Sequence, residues 1–390
     1  MPTHPPFRSF QDESGYLLGL VREAYPEALL ERRRARLRRF WARKPAEGRL
    51  PYVVWDMRLR QEWPASPPEY TPLQHGLIWQ LRVMAEHAAW DDDFLPTFSP
   101  GLVQATIPAY FGAVEMKTDQ AVKVVPMIPE EEPGKAWSLP EIGYPPDSHG
   151  GRLLASMRYM RQLSGGALPI SEADMQGPVS VAGHLWDVQG LLTAFYAAPD
   201  AVRHLLGRTA QAVIAFLRLM REAVDGHWSP CHCFPCIWMP PDAGVCLSED
   251  LLAVISPDST REFMNPALDQ VGREFGGVLA HTCGNLLPAA PALAESQTVF
   301  GVNCSSSETD ILKLAERTGS RFCYIIHHSG ARAGVNDPGL PALDLEGQAR
   351  LCREAFSDRL AGLPLLSPGR LDGDLDPARD GDRLRRALEI

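Results

Sequence analysis

The chain has no basic excess, no long apolar run and no nucleotide-binding signature. Its 390 residues carry 48 acidic against 38 basic side chains, a formal net charge of −10, which argues against a general nucleic-acid binder. No uninterrupted apolar stretch reaches bilayer-spanning length, and MPTHPPFRSF lacks the basic-then-apolar pattern of a secretion signal. A cytoplasmic protein without a membrane partner is the expectation. There is no glycine-rich dinucleotide fingerprint, no phosphate loop and no internal repeat. Cysteine is limited to eight residues, four of them between Cys231 and Cys246. A cytosolic chain of this size has little need of disulfides, so its thiols imply metal binding, catalysis or packing.

What is present suits a sizeable core: 45% of residues are hydrophobic. Residues 1–50 read as a helical extension. Within it Arg32, Arg33, Arg34, Arg36, Arg38 and Arg39 form a basic run. In an acidic chain a solvated helix face accounts for this more simply than an anion site. Pro-rich segments follow at 64–72 and 126–146, the second part of a long loop excursion around 116–150.

From about residue 150 strands and helices alternate. Helices are expected at 150–163, 188–197, from Asp200 as N-cap, 257–275, 308–317 and 345–359. Strands are expected to end at Gly177–Ala182 and to cover 245–247, 277–280, 298–302, 322–326 and 363–366. Earlier strands are placed near Tyr52–Trp55 and before Asp91. This rhythm implies a parallel sheet, and the α/β fold expected is a (β/α)8 TIM barrel over 51–390 with an N-terminal helical extension.

Barrel chemistry sits at the C-terminal strand ends. Read off there, the polar residues are Arg58, Asp91 to Asp93, His184, Glu249 and Asp250, His281 and Cys283, Asn303 and Cys304, His327 and His328, and Arg370. His281 and Cys283 stand two apart and so face the same space, with the nitrogen and sulfur donors that zinc prefers. Cys231-His232-Cys233-Phe234-Pro235-Cys236 could close a separate zinc site or lend a third ligand. Trp228, Trp238 and Met239 give the stretch around 228–246 the look of an apolar lid over the mouth, with ordinary loop packing the equal alternative.

Several segments together resemble the uroporphyrinogen decarboxylase superfamily. Gly177-Pro178-Val179-Ser180-Val181-Ala182-Gly183-His184 is similar to its Gly-x-Pro strand, and Ile255-Ser256-Pro257 to its Ser-Pro helix start. Phe275-Gly276-Gly277 through His281-Thr282-Cys283-Gly284-Asn285 resembles the His-x-Cys-Gly-Asn segment of its cobalamin-dependent methyltransferase branch. The likeness covers about 150–370 well and the first 120 residues weakly. Trp55-Asp56-Met57-Arg58 keeps only the Met-Arg of the decarboxylase signature, and Arg370 stands where that branch has a third zinc ligand and true decarboxylases a histidine.

The resemblance implies a zinc-dependent methyltransferase-like enzyme acting with a corrinoid on a separate protein and a thiol or related small acceptor. His281 and Cys283 would bind zinc, with Cys304, Cys236 or Cys233 as third ligand. Asp250 or one of Asp91, Asp92 and Asp93 would orient the substrate. His327 or His328 would move protons, and Arg58, His184, Asn303 and Arg370 would contact substrate. A metal-free lyase using Asp91–Asp93 is the second reading, and a non-catalytic metal- or tetrapyrrole-binding barrel the third. A homodimer is left open.

Overall fold

The computed structural model describes residues 7–56, 58–101, 106–117, 122–143, 146–231, 236–327, 339–356, 360–367, 372 and 375–390. His232, Cys233, His328 and Arg370 lie outside them.

Two helices open the described chain. In α1 (Phe10–Ala24), Ser9 caps the first turn by accepting from the Asp12 amide. In α2 (Glu27–Trp41), Arg33, Leu37, Phe40 and Trp41 are buried at the spacing of one helix face. Arg33 is thus a core residue. Its guanidinium donates to the carbonyls of Phe94 (2.6 Å) and Trp90 (3.1 Å) and sits 3.8 Å from Asp92.

Among the described residues ten strands follow: β1 (Val53–Val54), β2 (Glu115–Lys117), β3 (Val122–Val124), β4 (Ile170–Ser171), β5 (Trp228–Ser229), β6 (Val245–Ser248), β7 (Val278–His281), β8 (Val299–Ser305), β9 (Cys323–His327) and β10 (Ala361–Leu366). Six of them form one parallel sheet in the order β1-β10-β9-β8-β7-β6. The burial of its strands on both sides matches near-continuous apolar runs such as Cys323–His327, in which every residue is buried. β4 and β5 pair in parallel, and β2 and β3 pair antiparallel at the start of the expected loop excursion. The helix Pro199–Ala223 buries Val202, Leu205, Leu206, Val213, Phe216, Leu217 and Met220, the stripe its periodicity requires. Ala198 rather than Asp200 is its N-cap, because Pro199 fills the first helical position.

Three expectations change. Residues 178–186 form a helix, not a strand: Pro178 starts it after Gly177, and His184 lies in its last turn. The residues before Asp91 belong to the helix Pro72–His87. The strand-like stretch runs after the acidic triplet instead, with the Asp93 amide donating to the Tyr52 carbonyl and Phe98 bridging Ile170 in parallel. Asp92 and Asp93 therefore stand at the start of that stretch, level with the beginning of β1. They are fully buried and structural. Asp92 accepts from the Val54 and Phe94 amides and meets His87 at 2.8 Å. Asp93 holds Arg36 (2.6 Å), Arg49 (2.7 Å) and the Tyr52 amide.

Trp238 also departs from the lid reading. Its carbonyl accepts from the Trp41 indole of α2 and its ring lies under Arg38, so it covers the N-terminal end of the sheet. Among the described residues no helix is long and apolar enough to cross a membrane.

Candidate metal centre

The C-terminal ends of β6, β7, β8 and β9 come together through backbone register. Ser248 pairs with His281, His281 with Asn303, and Ser305 with His327. After β6 the chain turns through Glu249, whose amide donates to the His281 carbonyl (2.7 Å). The fully buried Glu249 carboxylate accepts from the Val179 and Ser180 amides (3.0 and 2.8 Å), at the positive end of the helix Pro178–Trp186. Gly177 makes room for it: a Cβ there would lie 2.3 Å from Glu249 Oε1. Burial pushes the Glu249 carboxyl up to about 7, against the lowering pull of the Val179 amide.

The turn after β7 is clamped from both sides. Asp250 Oδ1 accepts from the Cys283 amide (2.9 Å), and Glu308 Oε2 accepts from the Gly284 amide (3.1 Å). Gly284 has φ of 107°, a conformation that suits glycine and little else. These contacts bring one donor atom each of Asp250, His281 and Cys283 within 4.8 Å of one another, with Cys283 Sγ 3.4 Å from His281 Nε2.

The Asn303 amide sets the protonation of two imidazoles. Its Nδ2 donates to the Ile325 carbonyl (2.9 Å), which fixes which end is oxygen. Oδ1 then accepts from His281 Nδ1 at 2.6 Å, so His281 carries its proton on Nδ1 and its lone pair on Nε2, beside Cys283. Nδ2 also approaches His327 Nδ1 at 3.2 Å, which makes that nitrogen the acceptor and leaves the His327 proton on Nε2. The two rings lie 5.8 Å apart, inclined by 24°.

This donor set fits a zinc ion. Nitrogen and sulfur donors around one tetrahedral zinc stand about 3.5 Å apart, given Zn–N near 2.0 and Zn–S near 2.3 Å. The outer nitrogen of the imidazole is held by a side-chain oxygen, as metal-ligating histidines require. Three protein donors around a zinc ion would leave a fourth position open, the coordination of catalytic rather than structural sites.

Other candidates fall near or far. His184 is half-buried. Burial lowers its pKa, and the Asp250 charge opposes that. Arg58 reaches the buried Asp56 at the end of β1 (3.0 Å), and Arg60 pairs with the same carboxylate. Cys304 does not join the group. It is adjacent to Asn303 on β8, so strand alternation turns it to the opposite face, where burial pushes its thiol up to about 12. Cys236 lies against Ser171, Ser99 and Cys231, its thiol raised by burial to about 11. Asp91 and Asp93 are at the other end of the sheet. Asp250, expected to orient substrate, has a carboxylate oxygen within 4.8 Å of the His281 and Cys283 donor atoms.

No family model and no curated protein matches the chain. Among solved structures it is similar to a methyltransferase from Methanosarcina mazei, with a TM-score of 0.58 at 16% identity, over 90% of this chain and 96% of that one. The likeness is one of fold: an α/β protein built on a parallel sheet, similar to a methyltransferase.

Proposed function

We propose that the chain is a zinc-dependent methyltransferase-like enzyme of the uroporphyrinogen decarboxylase superfamily. It would transfer a methyl group between a corrinoid on a separate protein and a thiol or related small acceptor. The observation that carries this is the convergence of Asp250, His281 and Cys283, with the His281 lone pair fixed beside the Cys283 sulfur. The reading takes the fold as a (β/α)8 barrel. Bridges Phe98–Ile170 and Gln176–Ser248, with the Asp93–Tyr52 bond, link the six-stranded sheet's two edges through 93–98 and 170–176.

In this reading Asp250, rather than Cys304 or Cys236, is the third ligand. Zinc held there would lower the pKa of an acceptor thiol and keep it a thiolate at neutral pH. His327, with its proton on Nε2, would give up or take the acceptor's proton. Arg58 would contact an anionic group of the substrate. The metal-free lyase reading loses two of its three carboxylates, because Asp92 and Asp93 are consumed by structural bonds remote from this site.

The test is methyl transfer from methylcobalamin to small thiols, followed by cobalamin absorbance. Turnover is expected to stop on chelation and return with zinc. Activity indifferent to chelation would overturn the reading. Within the same site, Asn303→Ala is expected to weaken zinc affinity by about 10–100-fold while leaving stoichiometry intact at saturating zinc. Chelator competition measures this, and wild-type affinity would refute the role given to the amide.

A further inference from the structure

The basic run of α2 has a use that a solvated face does not explain. We propose that the N-terminal end of the parallel sheet binds a small phosphate dianion, either inorganic phosphate or a short phosphomonoester. A cavity of about 240 Å³ lies there, between α2, the chain around 44–51 and the start of β10. Arg36, Arg39, Lys44 and Arg49 line it, and Glu47 is its one acidic lining residue.

The arginines converge from separate segments instead of spreading along one helix. Asp93, fully buried, holds Arg36 Nε at 2.6 Å and Arg49 Nη1 at 2.7 Å. Arg39 is held by the Pro45 carbonyl (2.6 Å) and Glu47 (2.8 Å). Four cations thus face Asp93 and Glu47, with Asp91 acting on Arg49 from farther off, which leaves the lining net positive in a chain of net charge −10. That balance suits an anion. Arg36 uses only Nε in its bond to Asp93, so its two terminal nitrogens remain for a forked contact with phosphate. Asp93 orients two guanidiniums in advance, which lowers the entropy lost on binding. Phe40 and Pro51 add an apolar wall for a short organic tail. The volume falls below the roughly 300–1,000 Å³ of sites for drug-sized ligands, which limits the occupant to something small.

β10 begins at this cavity and runs toward the opposite end, where β1 and β9, its neighbours, reach the mouth. The site is therefore separate from the metal centre, and its test is independent of zinc.

Isothermal titration at fixed ionic strength, with inorganic phosphate in one arm and glycerol phosphate in the other, decides it. Saturable one-to-one binding is expected, retained in His281→Ala and weakened about 10-fold or more in Lys44→Ala and Arg36→Lys. Lys44 is exposed, so its variant tests the site without disturbing the fold. Tighter binding of glycerol phosphate assigns a phosphomonoester, and equal affinity assigns phosphate itself. No saturable binding in either arm, binding matched by chloride, or wild-type affinity in both variants would overturn the proposal.

Discussion

Replacing His281 or Cys283 with alanine is expected to abolish zinc binding: where the wild type is expected to hold about one equivalent, each variant should hold almost none. Elemental analysis of purified variants reads this directly. The effect should be large because three donors leave no redundancy, and losing one leaves a two-coordinate site. Asp250→Ala should act in the same direction, with a further loss of the clamp on the Cys283 amide. Cys304→Ala and Cys236→Ala should keep full zinc, since both thiols are buried away from the group. Thermal melts separate metal loss from unfolding, and Cys283 is the cleanest position because it is exposed. Unchanged stoichiometry in His281→Ala and Cys283→Ala would end the zinc assignment. Loss in Cys304→Ala would move the third ligand.

Asp92→Ala should be among the most destabilising single changes in the chain. It strands the Arg33 guanidinium, the His87 ring and the amides of Val54 and Phe94, all buried. Removing one partner from a buried charged pair costs about 3–5 kcal/mol, against a total stability of about 5–15 kcal/mol for a typical domain. Chemical denaturation measures it, and a loss under about 1 kcal/mol, the scale of an exposed pair, would refute the structural role. The pH dependence has a definite sign. Burial opposes ionisation of Asp92, but His87 and then Arg33 outweigh it and hold the native carboxyl below its ordinary range. In the unfolded chain it takes up a proton near pH 4. Its contribution is full above that pH and is lost as pH falls through the lowered native value. The stability gap between wild type and Asp92→Asn should therefore narrow on the acid side of pH 4.

The alternation of β6 to β10 with helices was legible because buried parallel strands are written as short apolar runs bounded by turn residues. The pairing of His281 with Cys283 was legible for the same local reason. What failed depended on distant partners. Gly177 to Ala182 reads as a strand by its β-branched residues, yet it is helical: Pro178 sets the first turn, and the carboxylate capping it comes from Glu249, 70 positions later. The Asp91–Asp93 triplet has the composition of an exposed loop. Only the arginines of α2 and the residue-49 region show why two of its carboxylates are buried. Asn303 and Cys304 could not both face the mouth from one strand, and the period of two was the signal available to separate them. The approach of Asp250 to His281 and Cys283 needed the loop after β6 to fold back on Cys283, which no spacing encodes.

One side chain gives the mouth a direction. If the Asn303 amide turned over, it would offer hydrogens to His281 and an oxygen to His327, and would lose its bond to the Ile325 carbonyl. Both rings would then have to move their protons together. As it stands, the β7 side presents an electron pair and the β9 side a proton. The proton positions of the two imidazoles are thus set together by one amide, itself held by the Ile325 carbonyl.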